Sequence, residues 1–173
     1  MYTDDPQEFY NNLNKELPLL GIDPGTKNIG LAISDINKTI ATPLDVLKNK
    51  KYKDLVNYIK ETQNNHGLSG IVIGYPINMD GTIGPKAQSS NSLADNLNKD
   101  TDLPILLWDE RLSTAVVEKM LISADISRNK RKKNIDKLAA SYILQGFLDL
   151  ASKFKASSRS HKRVIIDSLN IHF

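Results

Sequence analysis

Four short apolar runs, each bounded by a turn or an acid, constrain this chain more than any other feature. Residues 17–22 are apolar and close on Asp23-Pro24-Gly25. Residues 29–33 follow the turn Gly25-Thr26-Lys27-Asn28. Residues 69–74 and 104–108 are the other two, the last running into Asp109-Glu110-Arg111. Runs of this length read as buried strands rather than helices. The spacing of the first two predicts a hairpin, with Gly25 free to take a positive φ in the turn. Residues 39–47 predict a third strand, and Pro43 assigns it to a sheet edge or a bulge.

Between these runs the apolar spacing turns helical. Residues 52–66 carry Leu55, Val56 and Ile59 on one face, with His66 at the helix end and Gly67 as terminator. Residues 86–98 turn Ala87, Leu93, Ala94 and Leu97 inward. Ser113 is placed to cap a helix with Val116, Val117, Met120 and Leu121 inside. The run Arg128-Asn129-Lys130-Arg131-Lys132-Lys133 reads as a charged connector. The last strong helix, 135–150, has Ile135, Ala139, Tyr142, Ile143, Gly146, Phe147 and Leu150 at helical spacing. Residues 1–16 read as a loosely attached polar extension, 17–153 as the domain and 154–173 as a basic tail; residues 151–163 are expected to be mobile, and 164–166 to form a short edge strand or to dock elsewhere. The sum is an α/β domain with a mixed sheet, antiparallel first and parallel later, and helices on both faces.

A length of 173 residues suits one such domain, and 40% hydrophobic content supports a packed core. The chain has no cysteine, which excludes disulfides, zinc-thiolate sites and a cysteine nucleophile. Its histidines, His66, His161 and His172, show no ligand spacing. No apolar run approaches the roughly 20 residues that cross a bilayer. The acidic first 17 residues lack the character of a signal or transit peptide, so the expected location is the cytoplasm. The net charge of +3 conceals a division: residues 128–163 hold 11 Lys/Arg against Asp136 and Asp149, a net of +9, and the remainder is −6. Such asymmetry suggests a polyanion met on one face, although charge alone also fits a solvated basic helix end and tail.

Three acidic positions stand where the inferred sheet opens its cleft, beyond the carboxyl ends of the parallel strands. Asp23 ends the first strand, Glu110 (beside Asp109) ends the last, and Asp136 falls in the first turn of the final helix. Singly, each has a plain structural reading as a turn former, a loop charge or a helix-start acid. Jointly, three converging carboxylates need cations between them. Hard oxygen donors select Mg2+ or Mn2+, and two such ions about 3.5–4 Å apart hydrolyse phosphodiesters without a side-chain nucleophile. Thr26 offers a hydroxyl and an amide to a phosphate beside Gly25. The polar, glycine-rich loop 74–85 suits either a mobile polyanion contact or an ordinary surface connection. Ala139 and Ala140 read as small side chains that bring the last helix close to the sheet.

These segments also resemble a known family. Gly21-Ile22-Asp23-Pro24-Gly25-Thr26-Lys27-Asn28-Ile29-Gly30 is similar to the first-strand signature of the YqgF/RuvX family, of the ribonuclease H-like superfamily and related to the RuvC Holliday junction resolvases. Gly74-Tyr75-Pro76 with Asn78-Met79-Asp80-Gly81-Thr82-Ile83-Gly84-Pro85 resembles the second signature. Trp108-Asp109-Glu110-Arg111-Leu112-Ser113-Thr114 resembles the third. Asp136-Lys137-Leu138-Ala139-Ala140 with Ile143-Leu144-Gln145 resembles the fourth. The resemblance spans about residues 18–150, in family order. It implies a five-stranded sheet whose first three strands are antiparallel, and a Mg2+-dependent nuclease of pre-16S rRNA or of Holliday junctions. It places the catalytic and metal-binding carboxylates on Asp23, Glu110 and Asp136, with Asp109 an accessory. Nucleic-acid contacts are expected from Thr26, Lys27, Tyr75, Arg111, Lys130, Arg131, Lys132 and Lys133. The ends of the chain match nothing in the family core.

The leading expectation is therefore a nuclease of precursor rRNA, working as a monomer or weak homodimer, with ribosomal particles as further partners and no membrane. A branched-DNA resolvase shares the chemistry but needs a dimer for its paired cuts. A non-catalytic RNA-binding assembly protein would keep the fold alone. An ATPase of the actin/sugar-kinase type shares the Asp-x-Gly-Thr turn but needs two lobes and a second phosphate loop, and neither is found in this sequence.

Overall fold

In the computed structural model of the chain, residues 1–48, 51–112 and 128–169 are described, the side chains of 128–137 and 159–169 excepted. Among the described residues, six strands form one sheet in the order β1-β6-β5-β2-β3-β4. The strands β2 (Leu19–Pro24), β3 (Asn28–Ser34) and β4 (Ala41–Lys48) make the expected antiparallel meander. Strands β5 (Gly70–Tyr75) and β6 (Ile105–Asp109) run parallel to β2. Pro43 lies on β4, an edge strand, at the register shift opposite Leu31 and Ala32, where a missing N–H costs the ladder least.

The parallel strands are buried on both faces, which explains their unbroken apolar sequence. Leu20, Ile22, Ile71, Ile73, Ile105 and Leu107 face α2 (Tyr52–His66) and α3 (Pro85–Asp100). Their neighbours Leu19, Val72, Leu106 and Trp108 face α4 (Arg128–Leu169) and α1 (Pro6–Asn11). Gly67 ends α2 at φ +68, donating its N–H to Gln63 O at 2.9 Å. Ala140 is fully buried, and a Cβ on Gly21 would stand 2.8 Å from Leu144 Cβ and 3.0 Å from Ala140 O. Small residues on both partners thus let α4 approach the sheet, as the Ala-Ala pair predicts.

The structure corrects the two ends. A sixth strand, β1 (Tyr2–Thr3), pairs in parallel with β6, and Asp5 caps α1 by accepting from the N–H groups of Gln7 and Glu8. Phe9 is fully buried and meets Phe147 edge-on at 5.2 Å, and Tyr10 meets Phe154 at 5.5 Å. The N-terminal segment is therefore docked rather than loosely attached. The expected connector 128–133, the mobile stretch 151–163 and the edge strand 164–166 are all parts of α4. Lys and Arg are good helix formers, and Gly146 is the only Gly or Pro after Arg128, so nothing interrupts the helix. The helix expected after Ser113 lies outside the described residues.

Candidate active site

The carboxyl ends of parallel strands collect backbone that the sheet no longer pairs, which is where open α/β sheets place their clefts. Here Asp23 is the penultimate residue of β2, and Glu110 opens a short 3-10 turn directly after β6. Both line one cleft of about 350 Å3, together with Pro24, Gly25, Thr26, Lys27 and Lys86. Strand β5 runs between β2 and β6 and contributes Gly74 at this level. A Cβ there would stand 2.5 Å from Glu110 Oε1 and 2.6 Å from Ile143 Cδ1.

The electrostatics follow from this crowding. Burial and the negative charge of Asp23 push the Glu110 carboxyl up to about 7; Lys86 pulls the other way, and Asp109 adds a further upward push. Two oxygen-donor carboxylates held in one cleft against their mutual repulsion make a site suited to a hard divalent cation. Asp136 lies one turn before Ala140 in α4, and its side chain is outside the described residues.

The other expected contacts separate into groups. Thr26 and Lys27 are exposed on the β2–β3 turn and line the cleft. Gly25 does not take a positive φ. It serves the turn differently, since a Cβ there would collide with the Asn28 carbonyl oxygen. Tyr75 is only 6% exposed, with its ring in the core and its hydroxyl accepting from Asn91 Nδ2 at 3.1 Å. It occupies a core position, not an exposed stacking platform. Arg111 is bound to Asp109, Nη2 to Oδ2 at 2.6 Å and Nε to both carboxylate oxygens at 3.0 Å. Arg111 holds the Asp109 carboxyl below its ordinary range. The side chains of Lys130, Arg131, Lys132 and Lys133 lie outside the described residues.

The loop after β5 is tied to itself rather than open. Asn78 N donates to Thr82 O at 3.0 Å, Gly81 N donates to Asn78 O at 2.8 Å, and Asp80 Oδ1 accepts from both the N–H and the hydroxyl of Thr82. Gly81 takes φ +85, which this tight turn requires. Sequence reasoning passed over Lys86, the second residue of α3. Its signal was its place at a helix start immediately after Gly84-Pro85, facing the same sheet end.

A meander of three antiparallel strands joined to parallel strands, with helices on each face, defines a ribonuclease H-like α/β domain. Residues 18–150 match the RuvX family, described as Holliday junction resolvase, and the chain belongs to that family. A protein of Paramagnetospirillum magneticum named "Putative pre-16S rRNA nuclease" is 46% identical over 149 residues, covering 86% of this chain and 96% of its own length. A protein of the same name from Ruegeria sp. is 44% identical over 157 residues, covering 91% of this chain and 100% of its own. Among solved structures, T. thermophilus RuvC in complex with Holliday junction substrate is 13% identical at a TM-score of 0.47, covering 75% of this chain and 91% of that one, a likeness on which nothing further rests.

Proposed function

We propose that this chain is a divalent-metal-dependent nuclease that hydrolyses RNA phosphodiesters, acting in the cytoplasm on the 5′ end of pre-16S rRNA. The carrying observation is that Asp23 and Glu110, from β2 and the turn after β6, line a single cleft with the cations Lys27 and Lys86. The names of the 46% and 44% identical relatives support the RNA substrate. Asp23 and Glu110 fit Mg2+ or Mn2+ as hard oxygen donors, and Asp136 is the third ligand in this reading. When bound, such ions supply an activated water and stabilise the leaving oxygen. The chain's own residues then orient the strand. Thr26 and Lys27 meet a phosphate on the β2–β3 turn, Lys86 meets another from the start of α3, and Arg111 stays aimed by Asp109. Lys130, Arg131, Lys132 and Lys133 add backbone contacts, which strengthen binding without reading sequence.

The test is cleavage of a precursor 16S rRNA fragment by the full chain, with Mg2+ or with chelator, beside Asp23→Asn. Cleavage is expected only for the parent protein with Mg2+, and product lengths tell internal from terminal cutting. Full activity in Asp23→Asn overturns the assignment. The family's description favours a second reading, resolution of branched DNA. Paired symmetric cuts require a dimer, so cutting of a four-way junction by a dimer, with precursor RNA left intact, would establish it instead.

A further inference from the structure

At the amino end of β2, opposite the carboxylate cleft, three lysines converge. Lys15, Lys38 and Lys155 line a pocket of about 290 Å3 with Tyr10, Asn37 and Ser152. Lys38 takes φ +56, a left-handed conformation rare for a side chain this large, and is only 8% exposed. Its Nζ donates to the carbonyl oxygens of Leu17 at 2.7 Å, Asn14 at 2.9 Å and Lys15 at 3.2 Å, which uses all three of its protons. Lys15 Nζ donates to Tyr10 O at 2.9 Å and stands 3.4 Å above the Tyr10 ring.

None of the three makes an ion pair among the described residues. Asp35, a carboxylate near enough to favour the Lys38 charge, is engaged by the Thr39 and Ile40 N–H groups and the Thr39 hydroxyl. Burial, Lys15 and Lys155 hold the Lys38 ammonium below its ordinary pKa. A concave surface that keeps three like charges close together is stabilised by an anion. The pocket takes Ala151, Ser152 and Lys155 from α4, and the sequence of 150–163 that includes them has Lys153, Lys155, Arg159, Lys162 and Arg163 and no acid. That pattern suits a polymer of phosphates better than one small anion.

The geometry points to a second phosphate site here. Lys15 and Lys155 hold a phosphate of the RNA strand, and Lys38 stands behind them as a fixed buried charge. The distance from the cleft along β2 is roughly 20 Å at about 3.3 Å per residue. This inference rests on the RNA reading above and extends its footprint to the opposite end of the sheet.

The test measures affinity of full-length Asp23→Asn for a single-stranded RNA across a salt series, with and without the added pair Lys15→Gln and Lys155→Gln. The pair is expected to weaken binding several-fold and to flatten the slope of log K against log salt by about 0.7, the value for loss of one phosphate contact on a single strand. A Lys15→Arg, Lys155→Arg pair should restore both, and all variants should melt like the parent. Comparing 5′-phosphate with 5′-hydroxyl RNA shows whether the bound group is terminal or internal. An unchanged affinity and slope overturns the site even if the parent chain cleaves RNA. A flattened slope upholds it even if the parent cleaves nothing, so the two readings fail separately.

Discussion

Gly74 leaves open the space that the Glu110 carboxylate fills: a Cβ on Gly74 would come within 2.5 Å of Glu110 Oε1 and within 2.6 Å of Ile143 Cδ1. Neither neighbour can retreat easily, because Ile143 belongs to the packed face of α4 and Glu110 is half-buried. Gly74→Ala should therefore destabilise the fold by about 1–3 kcal/mol, the usual range for overpacking. It should also cut RNA cleavage well beyond that loss, because it moves a proposed ligand. Thermal melting and a cleavage assay run below the variant's transition separate the two effects. Cleavage at the parental rate by the folded variant would show that Glu110 can shift without consequence.

The same carboxyl makes stability depend on pH. Its pKa rises from an ordinary 4.5 to about 7 in the folded chain. Between those values the folded state binds more protons than the unfolded state, so stability falls as pH rises through the window and levels off above it. In chelator, the parent protein should melt at progressively lower temperature from about pH 5 to pH 8. Glu110→Gln should flatten that trend. Mg2+ added near pH 8 should raise the melting temperature of the parent more than that of the variant. An identical pH profile for both proteins would refute this account of Glu110.

Much of this site is legible in the sequence because strand ends and turns are local features. Asp23 and Glu110 follow apolar runs short enough to be strands, and parallel pairing brings those ends together. Tyr75 shows where local reading stops: it continues the Ile71, Ile73 alternation onto the face that α3 covers, so its ring is buried. Phe9 is the one phenylalanine in a polar segment, and its partner Phe147 lies far along the chain, so the docking of α1 has no local signal. The basic run at 128–133 resembles a connector by charge. Helix propensity and the absence of Gly or Pro decide its backbone instead. Lys86 belongs to no metal-binding pattern, and only the fold reveals that it faces Glu110.

The docking of α1 is expected to be worth much of the domain's margin of stability. Phe9 is fully buried against Phe147, beside Leu13 and the start of β5 at Gly70. Phe9→Ala should cost about 3–5 kcal/mol, the range for large aromatic truncations in a core. Because the Phe9 ring packs against Gly70 at the start of β5, the end of the sheet away from Asp23, the folded fraction should still cleave RNA. Urea unfolding followed by tryptophan fluorescence suits the measurement, since Trp108 stacks edge-on against Phe147 at 6.1 Å. A loss under 1 kcal/mol would mean that the N-terminal segment contributes little to the fold.

Lys38 combines a backbone cost with a side-chain gain, and two substitutions separate them. Its left-handed conformation costs roughly 1–2 kcal/mol in any residue with a Cβ. Its ammonium offsets that by donating to three main-chain carbonyls, each a charge-assisted bond. Lys38→Met keeps the strain and removes the bonds, so it should lose about 2 kcal/mol or more. Lys38→Gly removes both and should fall between Met and the parent, recovering about 1 kcal/mol of the loss because glycine is at ease at φ +56. Denaturant titration of the three proteins gives the order directly. If the Met variant matched the parent, the carbonyl cluster at Asn14, Lys15 and Leu17 would not be what holds this turn to the start of β2.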